Sequence, residues 1–234
     1  MNFQNKHNRM LATFALAAAI VVAATMWYLG CMTSLKNARR CECMHDVNFN
    51  ATVLPTQPRV IPRQILQLTK RMDSLPEYMC ELSKKLRRMN EGHDYHLMDD
   101  EDCRRYLRKH FASEPDVLKA FNQVKAGAYR ADVFRYAWLW KEGGVYIDMG
   151  LRPMVPFDDM FGTTDELIVV HESPNYYPLW FNDKRVKPGL YQAFLACAKG
   201  NEGMRAMLDL CVSNILNRRY GLTALYPTGP VCAW

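Results

Sequence analysis

An α/β domain built on a mostly parallel sheet, preceded by one N-terminal transmembrane helix, is the architecture that this amino-acid sequence predicts. Three observations carry it. Strand-like and helix-like stretches alternate from Arg59 to Val170, the order that lays helices over the faces of a parallel sheet. The 20-residue run Leu11 to Gly30 holds no charged residue. Gly143-Gly144 then leads from a helical pattern into Val145-Tyr146-Ile147, a β-branched and aromatic run that stops on Asp148.

The 234 residues are 49% hydrophobic and 23% charged, which excludes a disordered chain and favours one folded domain. A chain of this size builds a core without metal or disulfides, so stability says nothing about cofactors. Four segments are expected: an amino-terminal tail over 1–10, a membrane anchor over 11–30, a polar stem over 31–58 and the domain over 59–234. As a helix the anchor spans about 30 Å of hydrocarbon, with Trp27 and Tyr28 placed as interface residues. It exceeds the roughly 7 to 15 apolar residues of a cleavable signal. A long signal peptide and lipid modification at Cys31 are the competing readings, and both also export the domain.

Lys6 and Arg9 on one side against Lys36, Arg39 and Arg40 on the other leave the orientation open. Asn50-Ala51-Thr52, a glycosylation acceptor pattern, favours a single-pass type II protein with a lumenal domain. Eight cysteines suffice for disulfides in such a compartment. Cys41-Glu42-Cys43 with His45 lacks the second ligand pair of a zinc site, and His93 and His96 lack a third ligand. The net charge of +6 falls largely on pairs such as Lys84-Lys85, Arg87-Arg88 and Arg218-Arg219, the pattern of a solvated helix face. No nucleic-acid motif is present. Anionic lipid headgroups at a membrane and a sugar-nucleotide diphosphate are the partners such charge suits.

Along the domain, Val60 to Gln67 reads as a first strand, confined by Pro62 to an edge or a bulge. A helix follows from Pro76 to about Asn90, stopped at Glu91-Gly92, and Tyr95 to Met98 is a second strand. Asp99 to Phe111 carries acids in its first turn and bases later, which suits a helix dipole. Pro115 to Ala126 and Tyr129 to Lys141 read as two helices separated by Gly127. Val145 to Asp148 and Leu167 to Val170 complete the strands. In open α/β sheets ligands bind beyond the carboxyl ends of the strands, where Asp148 stands.

Asp132 and Arg135 are three residues apart on one helix and share a face. A carboxylate and a guanidinium together suit sugar hydroxyls and phosphate oxygens, although an i,i+3 ion pair is common on any helix. His171-Glu172 ends a strand as Asp148 does and is a candidate for the acceptor side, against a plain loop reading.

Ala131-Asp132-Val133-Phe134-Arg135-Tyr136 and Gly143-Gly144-Val145-Tyr146-Ile147-Asp148, with Ile61-Pro62-Arg63-Gln64-Ile65 before them and Thr228-Gly229-Pro230 after, resemble glycosyltransferase family 32. That group includes fungal α-1,6-mannosyltransferases, inositolphosphorylceramide mannosyltransferases and capsular polysaccharide transferases. The resemblance implies a GT-A-type nucleotide-sugar-binding domain, a Golgi or equivalent address, and transfer of a hexose such as mannose, with retention, to a glycan or glycolipid acceptor. It further implies donor binding by Asp132, Arg135, Tyr136, Gly144, Asp148 and Asn182, with Asp148 and Arg135 catalytic. Asp148 would be the first acid of an Asp-x-Asp motif that engages Mn(II) or another divalent cation. This sequence departs from the pattern in three places. Glycine stands at 150 where the second acid belongs, Leu66 stands where the opening histidine belongs, and the chain ends four residues after Pro230, short of where family members continue. Gly150 leaves Arg152 as another source of positive charge and raises the alternative of a catalytically degenerate member that binds nucleotide sugar or a partner protein.

Overall fold

The computed structural model describes residues 59–171, 189–221 and 226–229. The expected anchor, the stem and Asn182 lie outside them. No helix among the described residues is long and apolar enough to cross a membrane.

Among the described residues five strands form one sheet: β1 (Gln64–Leu68), β2 (Asp94–Met98), β3 (Gly144–Ile147), β4 (Leu167–His171) and β5 (Leu190–Cys197), in the order β2-β1-β3-β5-β4. β1 runs parallel to β2 and β3, whereas β5 is antiparallel to both β3 and β4. The sheet is therefore mixed, which corrects the mostly parallel expectation. Its cause is β5, inserted between β3 and β4 from a stretch, Leu190 to Cys197, with no clean alternation to announce a strand. Pro62 does not confine β1 to an edge either. It precedes the strand, and β1 is interior, flanked on both sides.

Among the described residues six α-helices accompany the sheet: α1 (Glu77–Met89), α2 (Asp100–His110), α3 (Pro115–Gln123), α4 (Gly127–Glu142), the short α5 (Phe157–Met160) and α6 (Glu202–Leu216). Local chemistry explains several ends. Asp99 caps α2 by accepting from Glu101 and Asp102 while the Asp102 side chain reaches back, a capping box. Asn201 caps α6 through Met204 N–H. Gly127, expected as a break, is the first residue of α4; the break falls at Val124, which is extended.

Alternation along the strands sorts the core into two layers. Leu66, Tyr146, Leu195 and Cys197 pack with Leu107 of α2, Phe121 of α3, Val133 and Trp138 of α4 and Leu208 of α6. Ile65, Val145, Ile147, Phe194 and Ala196 face the other way, onto Leu86 of α1 and Phe157 and Phe161 around α5. α4 is the central helix: Asp132 to Leu139 are eight consecutive buried residues. A helix buried all round loses its amphipathic stripe, which is how a carboxylate and a guanidinium come to lie in the core. Cys80 of α1 is disulfide-bonded, whereas Cys103 and Cys197 are buried free thiols.

Glycine is required at the α4 to β3 junction. Gly143 and Gly144 have φ of +72° and +97°, and a Cβ on Gly144 would stand 2.6 Å from the Gln64 carbonyl oxygen. This close approach lets β3 pair beside β1 directly after a helix.

Candidate functional site

The carboxyl ends of β1 and β3 open into a cavity of about 320 Å³. Leu68, Thr69 and Lys70 line it from β1, and Tyr146, Asp148, Met149 and Gly150 from β3. Asp100 and Cys103 of α2 close one side, and Gly127, Ala128, Arg130, Ala131 and Arg135 of α4 another.

Arg135 is the hinge of the site. Its Nη2 lies 3.1 Å from Asp132 Oδ1 and its Nη1 3.9 Å from Asp148 Oδ1. Nη1 also donates to the Gln192 carbonyl at 2.5 Å, Nε donates to the Ala131 carbonyl at 3.3 Å, and the guanidinium stacks 4.3 Å from the Tyr146 ring centre. Burial works against its charge, but Tyr146, Asp132 and Asp148 outweigh that and raise its pKa. The cation is thus permanent and fixed in orientation.

Behind it stands Asp132, 5% exposed, with Thr228 Oγ1 donating to Oδ2 at 2.5 Å. Burial pushes this carboxyl above the ordinary carboxylate value, against the pull of Arg135 and of the Thr228 hydroxyl. Asp132 does not line the cavity and stands behind Arg135, whose guanidinium it holds. Tyr136 is also fully buried: its hydroxyl donates to the Thr228 carbonyl at 3.2 Å and accepts from Gln192 Nε2. Gln192 Nε2 donates in addition to the Thr228 carbonyl at 3.1 Å, and Asn214 Nδ2 to the Pro227 carbonyl at 3.1 Å. The Thr228 segment is therefore bolted to α4, β5 and α6, and through Asp132 it sets the position of Arg135.

Asp148 has 45% of its side chain exposed and faces the cavity. Tyr146 donates its hydroxyl to Asp148 Oδ1. Burial raises the Tyr146 pKa well above its ordinary value, so the phenol keeps its proton and remains a donor. The backbone at Asp148 is held as well: its N–H donates to the Ala193 carbonyl at 2.9 Å and its carbonyl accepts from buried Gln67 at 3.5 Å. Gln67 is fixed in turn by Ser83 and Tyr95, each donating to its Oε1 at 2.7 Å.

The structure thus brings Arg135 and Asp148 together at the cavity and sets Asp132 and Tyr136 behind them. Gly144 lies at the opposite end of β3 from Asp148 and packs against Gln64, away from the lining residues. His171 ends β4 at the same end of the sheet as Asp148, with β5 between them; two strand spacings across and three residues along β5 put it roughly 14 Å away. Glu172 falls outside the described residues. Arg152 is exposed and does not line the cavity. His96 packs its ring on Trp138 and His93 lies near Asp158, and among the described residues no group of three His, Cys, Asp or Glu side chains could hold a metal ion.

Among the described residues, those at the cavity do not fit a divalent ion held directly by protein. Asp148 offers one carboxylate, whose Oδ1 already accepts from Tyr146 and faces a cation, and Gly150 offers no ligand. A Cβ on Gly150 would meet nothing within 4 Å, so the second acid is missing for lack of a side chain and not for lack of room. Reasoning from sequence overlooked Lys70, Arg130 and Gln192. Arg130 was legible in principle: helical spacing puts positions 127, 131 and 135 on one face with 130 beside it. Gln192 was not, because it sits on the unforeseen β5.

Residues 76–167 match the family model described as "Glycosyltransferase sugar-binding region containing DXD motif". The chain is 25% identical over 228 residues to inositol phosphoceramide mannosyltransferase 3 of Schizosaccharomyces pombe, covering 96% of this chain and 58% of that protein. It is 29% identical over 133 residues to mannosyl phosphorylinositol ceramide synthase SUR1 of Saccharomyces cerevisiae, covering 54% of this chain and 33% of that one. The chain thus spans from about a third to under two thirds of the length of these relatives. Among solved structures, a chain titled "PaToxG Glycosyltransferase" superposes with a TM-score of 0.56 at 18% identity, over 74% of this chain and 67% of that one. That likeness is one of fold.

Proposed function

We propose that this chain, whose residues 76–167 match a glycosyltransferase sugar-binding region and which is similar to fungal mannosyltransferases, is a glycosyltransferase of family 32 that transfers a hexose, mannose first, from a nucleoside diphosphate sugar to a glycan or glycolipid. The observation that carries this reading is the Arg135–Asp148 pair at the mouth of a cavity beyond the carboxyl ends of β1 and β3. There the guanidinium donates to donor oxygens while Asp148 accepts from sugar hydroxyls. Asp132 and the Thr228 segment act as positioning elements. They hold Arg135 so that no reorientation is needed as charge develops on the leaving phosphate. Transfer proceeds with retention, and no protein base is assigned, because the leaving diphosphate itself takes the acceptor proton. Inositol phosphoceramide, named for the fungal relatives, is the first acceptor to try. An anchor over 11–30 would bring the cavity to a lipid acceptor, and the Cys80 disulfide supports an oxidising lumen of the Golgi type.

One observation favours a second reading. Gly150 leaves the motif without its second acid, as in a family member that binds nucleotide sugar without turning it over. The two readings separate in one assay. Detergent-solubilised full chain is given radiolabelled GDP-mannose with inositol phosphoceramide, and the lipid extract is counted. Label in the lipid, lost in Asp148→Asn, supports transfer. Saturable donor binding with neither transfer nor hydrolysis supports the silent binder.

A further inference from the structure

The Asp148 end of the cavity does not fit a directly held divalent ion, yet the same cavity supplies the positive charge that such an ion would bring. Resting on the donor-site reading above, we propose that Arg130 and Lys70, together with the first turn of α4, hold the donor diphosphate without a metal ion.

Among the described residues three cations line the cavity, Lys70, Arg130 and Arg135, against two carboxylates, Asp100 and Asp148. Arg135 already bonds Asp132, Gln192 and Ala131, so its one fork cannot by itself hold two linked phosphates. Arg130 is placed differently. Its side chain is 15% exposed, its Nη2 lies 3.2 Å from Asp100 and donates to the Lys125 carbonyl at 3.4 Å, and its Nε is buried with no hydrogen-bond partner among the described residues. A buried donor without an acceptor is unusual and costly, and Nη1 likewise has no partner among the described residues, so the guanidinium keeps donors that its own surroundings do not use. Lys70 is exposed on the β1 side of the same cavity, so it carries charge without a structural duty.

The start of α4 adds to this. Its N-cap, Ala126, makes no side-chain capping bond, its first turn holds no acid, and Gly127 and Ala128 line the cavity. Gly127 and Ala128, at the positive end of the dipole of a 16-residue helix, therefore lie beside the two side chains. Guanidinium, ammonium and helix end together form an anion site for two linked phosphates. A single glycine at 150 is then consistent with a donor site in which metal is dispensable.

The test is calorimetric titration of the detergent-solubilised full chain with GDP and with UDP, in EDTA and in Mn(II). Binding of at least one nucleotide is expected to change by less than about twofold on chelation. Arg130→Ala is expected to weaken it about tenfold or more and Lys70→Ala by a few fold, with Arg130→Lys recovering part of the loss. Melting temperatures monitor folding, and Lys70, being exposed, keeps the test open if Arg130→Ala destabilises the chain. Binding that requires Mn(II), or that is unchanged in both alanine variants, overturns the metal-free site while leaving the donor reading intact. Failure to bind either nucleotide under both conditions overturns the donor reading itself, and this site with it.

Discussion

Removal of the Asp132 carboxylate tests whether this residue supports Arg135 or touches the ligand. In Asp132→Ala the Arg135 guanidinium stays buried and loses its 3.1 Å partner, while the Thr228 hydroxyl loses its 2.5 Å acceptor. Breaking a buried pair at one end costs about 3–5 kcal/mol, and stranding a hydroxyl about 1–3 kcal/mol. Arg135 keeps Gln192 and Asp148, so the total is expected near the lower bound, about 4 kcal/mol. For a domain of this size that lowers the melting temperature by roughly 8–16 °C. Asp132→Asn retains shape and an acceptor for Thr228 and should cost about half as much. Thermal melts by circular dichroism give the stabilities, and donor titration below the melting range gives the affinity of the folded fraction. A strut requires that Asn restore both together. If Asp132→Asn melts like the wild type yet abolishes nucleotide binding, Asp132 contacts the donor and the reasoning fails.

Other expectations follow from the same geometry. Gly144→Ala places a Cβ against the Gln64 carbonyl at positive φ and should cost more than about 2 kcal/mol in denaturant melts; a stable variant would show that β1 and β3 do not approach so closely. Burial holds the imidazoles of His93 and His96 below 6.5. The unfolded chain therefore binds more protons as the pH falls past 6.5, and stability present above that value is lost on acidification, by up to about 1.4 kcal/mol per pH unit for His93 and less for the more exposed His96. Urea melts at pH 7.5 and 5.5 should show a smaller difference in a His93→Asn/His96→Asn variant, and an equal difference would contradict the assignment. Gly150→Asp has open space for its side chain, so the folded variant should bind Mn(II), read by paramagnetic resonance, where the wild type binds it at least tenfold more weakly. Equal affinity would mean that position 150 does not face the site.

Much of the fold was legible because its cues are local. The Asp99 cap, the acids that open α2, the Pro115 start of α3 and the double glycine before β3 each act within a few residues, and those elements lie close to where they were expected. Neither β5 nor α6 was foreseen. Their sequences, LYQAFLAC and EGMRAMLDLCVSNIL, show no strict alternation and only a weak apolar stripe, since both are shaped by what packs on them. The antiparallel insertion of β5 follows from long-range pairing that no local pattern encodes. At the site, spacing put Asp132 and Arg135 on one face and Asp148 at a strand end, but gave no sense of depth. The structure shows that Arg135 and Asp148 reach the cavity while Asp132 and Tyr136 stand behind it. Burial of α4 on every side decides that, and burial is set by α6, α3 and the Thr228 segment together.

The cavity beyond β1 and β3 is tested most directly by titrating the detergent-solubilised full chain with GDP-mannose, UDP-glucose and UDP-galactose and repeating the titration on Arg135→Lys. Lysine keeps the charge but loses the fork that reaches Asp132, Gln192 and Asp148 together. Saturable one-to-one binding of at least one donor, weakened about tenfold or more in the folded variant, is the expected result. The absence of binding by every donor, or equal affinity in the wild type and Arg135→Lys, would contradict it.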